Sequence, residues 1–491
     1  MVVIVRSWAA RVAPHELMLS SLAERPAPLR GRRESASPLL LTCVALVFFA
    51  AAAPEAEAQT PNPAPLAGTA SEDGEGGEQR QDDTGTDGEP QTDAEVLKDE
   101  PDEDDDELSG LEDVDPLTVH WDNGLHVSGK WDYLHMKIGG DLQNDTAGFV
   151  NTESAEEDLG IPIQGGVEWR RARVYAEGRL TRHLDFKFRY DFTAGNPPNL
   201  KDAYGSLVNL PIPTLVLTGG RFKAPLGLDG FTGADDLIFM ERSLMSWAFL
   251  PSRNTGVMAH GDAAQHRIRW SVAALQPEAE SLDLSATDNL GWSARFAYAF
   301  AKGKKKENLF HLGADVWRRN VSDTIQYATA PESNIAPFFV DTGDVSAESS
   351  DLAVVETAFQ RGKWTVQSEF ALAKINNTAE DSLYFWGVYA QASYFLTGEK
   401  MDYRTDRGTF TRPYPKRNIR QGGGGAMELG FRYSRIDLSD GQVDGGVLAD
   451  WTVGLNWYPT YHIKLMFNGI LANLKGSNPV GILQMRLQVA F

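Results

Sequence analysis

The chain has 491 residues, with 46 lysines and arginines against 68 aspartates and glutamates and a formal net charge of −22. An acidic balance of this size argues against a nucleic-acid partner, and none is expected. Cys43 is the only cysteine, which excludes a disulfide framework or a cysteine metal site within one chain; no cofactor or metal is expected.

The charge is uneven. Residues 59–115 hold 21 acidic and 2 basic residues, and residues 1–58 hold 5 and 6. Beyond Asp115 remain 42 acidic and 38 basic residues, so the net charge belongs almost wholly to one segment.

Residues 1–58 read as a signal peptide with an upstream extension. Arg30, Arg32 and Arg33 form the positive region, residues 39–53 the apolar core, and Ala56-Glu57-Ala58 a small-x-small cleavage site after Ala58. Met18 is an alternative start. The apolar run is too short for a comfortable membrane span. Residues 59–115 are rich in Pro, Gly and Thr and then acidic, with DEDDDE at 102–107 and no aromatic residue. Such a segment buries too little apolar surface to offset its ordering entropy, so a disordered periplasmic arm is expected.

From residue 116 the pattern changes and repeats. Leu184, Phe186, Phe188, Tyr190 and Phe192 alternate with Asp185, Lys187, Arg189 and Asp191. Similar runs include 266–276, 363–374, 425–436 and 448–458. Period-two alternation over about ten residues is the signature of a strand that crosses a bilayer, one face toward lipid and one toward a wet lumen. Charges at every second position are too many for the inner face of a sandwich.

About sixteen such runs are predicted, at 131–138, 167–179, 183–193, 201–209, 214–224, 255–263, 266–276, 290–300, 307–318, 350–361, 363–374, 382–396, 425–436, 448–458, 460–470 and 481–491. The fold class is therefore all-β: a transmembrane antiparallel β-barrel over 116–491 in the bacterial outer membrane, contacting its lipid. Short connections alternate with long ones at 225–254 and 319–349. One long connection, 396–424, falls on the periplasmic side by parity. The chain ends in GILQMRLQVAF, with Leu483, Met485, Leu487, Val489 and Phe491 on one face. A last strand ending in Phe resembles that of bacterial outer-membrane barrels, where it is read by the barrel-assembly machinery.

Several separated motifs carry a further resemblance: GVEWRRARVYAEGRL (166–180), LKDAYGSL (200–207), GGRFKAPLGLDGFTGADDLIFMERS (219–243), SRNTGV (252–257), YAQASYFLTGE (389–399), FRYSRIDL (431–438), LNWYPTYHIKLMFN (455–468) and the final RLQVAF. Together, in this order, they resemble the phosphate-selective porin O/P family over residues 116–491. The resemblance implies a sixteen-stranded homotrimeric channel for inorganic phosphate or other small anions. It also implies that two outer loops and one periplasmic turn fold into the lumen, which accounts for the long 396–424 connection.

Alternation places Arg171, Arg173, Arg179, Lys187, Arg189, Arg267, Arg269, Arg295, Arg432, Lys464 and Arg486 on the lumen side, with Arg221 and Lys223 on a less regular strand. At mid-membrane a lipid-facing Arg or Lys costs about 2–4 kcal/mol. Many of these cations are expected to pair with Asp185, Asp191, Asp202, Glu356, Glu369 or Glu428. The 225–254 loop is the expected constriction, with Asp235, Asp236, Glu241, Arg242 and Arg253; Glu241 and Arg242 are expected to pair and pin it to the wall. Where phosphate-selective members carry Ser and Lys or Arg, the tip here has two carboxylates, so weak anion preference is expected. The 396–424 turn carries Lys400, Arg404, Arg407, Arg412, Lys416, Arg417 and Arg420 and is expected to set that preference. The alternatives are a structural barrel tethering the envelope and a barrel enzyme, for which the scattered histidines offer no Ser–His pairing.

Overall fold

The computed structural model describes residues 117–129, 134–193, 200–276, 290–302, 308–376 and 382–491. The predicted signal peptide, 1–58, and the whole of the acidic arm, 59–115, lie outside them.

Two short strands come first, β1 (Thr118–Trp121) and β2 (Leu125–Ser128). The barrel wall follows: β3 (His135–Val150), β4 (Gly166–Thr181), β5 (Leu184–Asp191), β6 (Leu200–Leu207), β7 (Val216–Lys223), β8 (Arg253–Ala263), β9 (Ile268–Gln276), β10 (Gly291–Lys302) and β11 (Asn308–Asn320). A long loop then contains β12 (Thr324–Ile325), β13 (Ala328–Thr329), β14 (Val340–Asp341) and β15 (Val345–Ser346). The wall resumes with β16 (Ser349–Arg361), β17 (Trp364–Asn376) and β18 (Leu383–Phe395). A long turn contains β19 (Asp402–Arg404) and β20 (Thr409–Thr411). The last wall strands are β21 (Ala426–Asp440), β22 (Val443–Tyr458), β23 (Ile463–Leu474) and β24 (Val480–Ala490).

Each wall strand pairs antiparallel with the next, and β24 returns to β3, from Gly481 opposite Val150 to Ala490 opposite Asp141. This closes a barrel of sixteen strands, the predicted number. Closure satisfies every sheet edge, which lipid cannot do. The first strand departs from its predicted span of 131–138. It runs on to Val150, but its outer positions after Leu142 are Asn144, Thr146 and Gly148, too polar for alternation to reveal it.

The seam carries a feature that the sequence did not announce. Strand β24 ends before β3 does, and Phe491 and Gly140 exchange backbone hydrogen bonds of 2.9 Å in both directions. Beyond that point β2 takes over the free edge, pairing Leu125–Ser128 with His135–Ile138, and β1 pairs with β2. A side chain at Gly139 or Gly140 would run into Phe491, so glycine at both allows the chain end to seat.

The outer face is apolar. Phe188, Val257, Val272, Phe296, Phe310, Val355, Phe370, Val453 and Leu487 are all exposed, as a lipid-facing belt requires. The inner face is polar only in part. Ala371, Ala373, Phe385 and Tyr389 point inward, yet they are buried with Met245 and Phe249 of a short helix, Leu244–Phe249, and with Tyr327. Here the lumen is filled by loops, and the wall packs on them as a sheet packs on a core. At Gly387 a Cβ would meet Met245 Cβ at 2.6 Å, so a bare backbone is needed for that approach. The barrel is thus packed on one side and open on the other, along β3–β9.

Candidate functional site

The loop 224–252 leaves the wall after β7 and crosses the lumen. Asp315 accepts from the Gly227 amide at 2.7 Å, and Glu369 accepts from those of Leu228 and Asp229 at 2.6 and 2.8 Å. Residues 235–241 are then laced to the opposite wall through their carbonyls. Gln488 donates to Asp235 at 2.9 Å, Lys464 to Leu237 at 2.6 Å, Asn456 to Ile238 at 2.7 Å and Arg486 to Met240.

Glu241 ends this run in a cage of guanidinium groups: Arg486 at 2.6 Å, Arg170 at 2.9 Å and Arg171 at 3.8 Å. Burial pushes its carboxyl up, but Arg170, Arg171 and Arg486 hold it well below the usual carboxylate range. The expected pair with Arg242 is not formed. Arg242 donates to the loop's own carbonyls at Asp229, 3.0 Å, and Thr232, 2.7 Å. Glu241 thus reaches the wall, while its neighbour Arg242 braces the loop. The loop 321–348 is fixed similarly: Glu332 accepts from Arg432, Ser434 and Thr452.

The turn 396–425 enters from the other end. Arg269 donates to the Thr405 carbonyl, Arg295 to that of Gly408 at 3.3 Å and Gln360 to that of Met401 at 2.8 Å. His311 bonds the Tyr403 hydroxyl at 2.7 Å. Loop and turn meet inside the lumen. Arg412 lies 3.1 Å from Asp235 and 3.8 Å from Asp236, and the Arg412 amide and Thr411 hydroxyl donate to Asp236 at 3.1 and 2.9 Å. Burial pushes both carboxyls up. For Asp235 the Arg412 charge outweighs burial and holds the group far down; for Asp236 the neighbouring Asp235 charge adds to burial, and it stays raised. The guanidinium of Arg412 also lies over the Tyr461 ring at 4.8 Å, which stacks on Tyr414 at 3.9 Å. The two carboxylates therefore clasp the basic turn.

A cavity of about 1330 Å³ lies open along β3–β9. Sixteen lysines and arginines line it, against nine aspartates and glutamates and the C-terminal Phe491. Among the sequence candidates, Arg173 pairs with Asp191 at 2.7 Å, Arg179 with Asp185 at 2.5 Å, Lys187 with Glu177, and Arg253 with Asp202 at 3.0 Å. Arg189 stands 3.7 Å from Asp202 with its guanidinium over the Tyr175 ring. Lys223 donates to the Thr232 carbonyl at 2.7 Å; Arg221, expected in the pore, donates to the Leu200 carbonyl at 3.0 Å and does not line the cavity. Arg171, Arg269 and Arg295 also line the cavity.

Others sit elsewhere. Arg432, Lys464 and Arg486 face inward but are buried under the loops they hold. Arg267 precedes β9, is exposed and lies over the Phe300 ring at 5.4 Å. Of the turn, Arg404, Arg407 and Arg412 line the cavity. Lys400 pairs with Asp402 at 3.1 Å, Lys416 donates to the Gly398 carbonyl, and Arg417 and Arg420 are exposed and line no part of it. Alternation missed Arg170, Lys201 and Lys137, which line the pore. Arg170 is adjacent to Arg171, and both turn inward where the β3–β4 register shifts between Gln143 and Asn144. Lys137 follows from extending β3; Lys201 opposes Asp202 in alternation and reaches the lumen at the strand's end.

A closed barrel with an apolar belt, a narrowed polar lumen and loops folded inward is an outer-membrane porin, a passive diffusion channel. The chain belongs to the family described as phosphate-selective porin O and P, whose signature matches residues 136–491. It is 28% identical over 356 residues to an uncharacterized protein of Caulobacter vibrioides, covering 70% of each chain. It is 22% identical over 403 residues to Porin O of Pseudomonas aeruginosa, covering 71% of this chain and 85% of that one. Among solved structures it is similar to the anion-selective porin of Comamonas acidovorans, with 12% identity, a TM-score of 0.46, and coverage of 72% of this chain and 99% of that one. It is likewise similar to OprB of Pseudomonas putida, with 11% identity, a TM-score of 0.47, and coverage of 72% and 94%.

Proposed function

We propose that this porin passes inorganic phosphate and other small anions with a weak preference over cations, as a homotrimer. The observation that carries the charge preference is the excess of cations lining the open half of the lumen. Most of these cations already have carboxylate or carbonyl partners, so the field is positive on average but no site is a strong trap. Conduction needs weak, repeated sites, and this lining supplies them. The carboxylates at the clasp stand beside the path, which argues against strict phosphate selectivity.

Planar-bilayer recording across a potassium chloride gradient, then a potassium phosphate gradient, tests this. A reversal potential of anion sign in both, with chloride still conducted in the presence of phosphate, is expected. A reversal potential of cation sign overturns the reading. Absence of steady conductance favours a structural barrel.

A further inference from the structure

The hairpin at the seam places three histidines in a row. His120 stands opposite His126 in the β1–β2 register, and their rings stack at 5.1 Å. The His126 and His135 rings lie 5.3 Å apart across β2–β3. The row sits on the face of β3 that bears Asp141 and Gln143, and His135 lines the pore at the end where Phe491 is seated.

The hydrogen bonds define what the two inner rings present. His126 Nε2 lies 2.7 Å from the Asp122 carbonyl oxygen, which only accepts. In the neutral ring Nε2 therefore carries the proton, and Nδ1 is left as a lone pair. That lone pair faces His135 Nε2 at 3.4 Å. His135 Nδ1 lies 2.8 Å from the Ser128 hydroxyl, and when it donates there Nε2 is a lone pair too. A separation of 3.4 Å is long for a hydrogen bond. It matches the chord between two nitrogens on a tetrahedral zinc, about 3.4 Å for bonds of about 2.0–2.1 Å. A carbonyl and a hydroxyl orienting the far ring nitrogens are the outer partners that metal-binding imidazoles take.

We propose that His126 and His135 form a two-imidazole site for a divalent transition cation such as zinc at the periplasmic mouth of the pore. No group of three such ligands is assembled among the described residues, so water completes the coordination and the ion exchanges readily. Lys137 stands opposite His126 in the register, but its ammonium lies over the Tyr175 ring, 5.7 Å from the centroid.

Zinc chloride titrated into the full mature chain in detergent micelles tests the site. Excess calcium is present throughout, to occupy the carboxylates of residues 59–115, whose oxygens suit hard cations, while imidazole nitrogens favour zinc. One saturable, calcium-resistant zinc per chain is expected, lost in His126→Gln and in His135→Gln and kept in His266→Gln, an exposed histidine on another turn. Retained heat-modifiable gel migration certifies that each variant is a folded barrel. Unchanged uptake in both variants, or no zinc uptake by the unmodified chain above the calcium background, overturns the proposal.

Discussion

Arg412 of the inward turn and Asp235 of the inward loop meet at 3.1 Å in the lumen, joining an element that enters from one end of the barrel to one that enters from the other. Neither is anchored by this contact alone. Arg486 and Lys464 hold the loop, and Arg269, Arg295 and Gln360 hold the turn. The clasp therefore tunes local charge without deciding whether the barrel folds.

Opposite charge changes at the clasp are expected to act oppositely. Arg412→Gln leaves two carboxylates beside the path and shifts the reversal potential toward cations. Asp235→Asn with Asp236→Asn leaves Arg412 unpaired and shifts it toward anions. Bilayer recordings at low salt check both signs; shifts of one sign for both variants contradict the reading.

The clasp also titrates in a defined order. Asp236 is raised above its ordinary value, so its charged form is disfavoured there, and falling pH neutralises it before a free carboxylate at about 3.9. Asp235 is lowered, so the stability it lends is present above the ordinary carboxylate range and is lost only as pH falls through its lowered value. Mild acidification is thus expected to increase anion preference with the clasp intact. Loss of that increase in Asp236→Asn is the check.

Removing the charge of Glu241 is expected to be costly. Its carboxylate is buried among Arg170, Arg171 and Arg486, and Glu241→Gln leaves those cations short of a partner. Breaking a buried pair from one side costs about 3–5 kcal/mol. Thermal or urea unfolding of the barrel should show a clear loss of stability, well beyond that of Asp351→Asn at the half-exposed Arg318 pair.

Within the turn, the arginines that line the cavity should matter and the others should not. Arg404→Gln with Arg407→Gln is expected to shift the reversal potential toward cations at low salt. The shift should shrink at 1 M salt, where screening shortens to about 3 Å. Arg417→Gln with Arg420→Gln should leave it nearly unchanged.

Deleting Phe491 is expected to impair assembly of the barrel in the outer membrane. It removes both backbone bonds to Gly140 and the ring stacked on Trp121 at 6.0 Å. Outer-membrane fractionation and heat-modifiable gel migration check it.

Much of the wall was legible in the sequence because lipid imposes a strict rule on alternate residues. Phe188, Val272, Phe370 and Val453 alternate with polar neighbours, and that alternation located most of the sixteen strands and their inward arginines. It failed where the rule relaxes: in the polar second half of β3, at the β3–β4 register shift, and at Arg267 in a turn. The interior was not legible, because what a lumen residue touches depends on loops whose course no local period encodes. Tertiary structure alone decided that Arg432, Lys464 and Arg486 are buried as anchors while Arg404 and Arg407 line the pore. It also decided that Glu241 turns to the wall and that Asp235 and Asp236 hold Arg412, since these are contacts between segments far apart in the chain. Period two fixes which face a side chain takes; only the folded loops fix its partner.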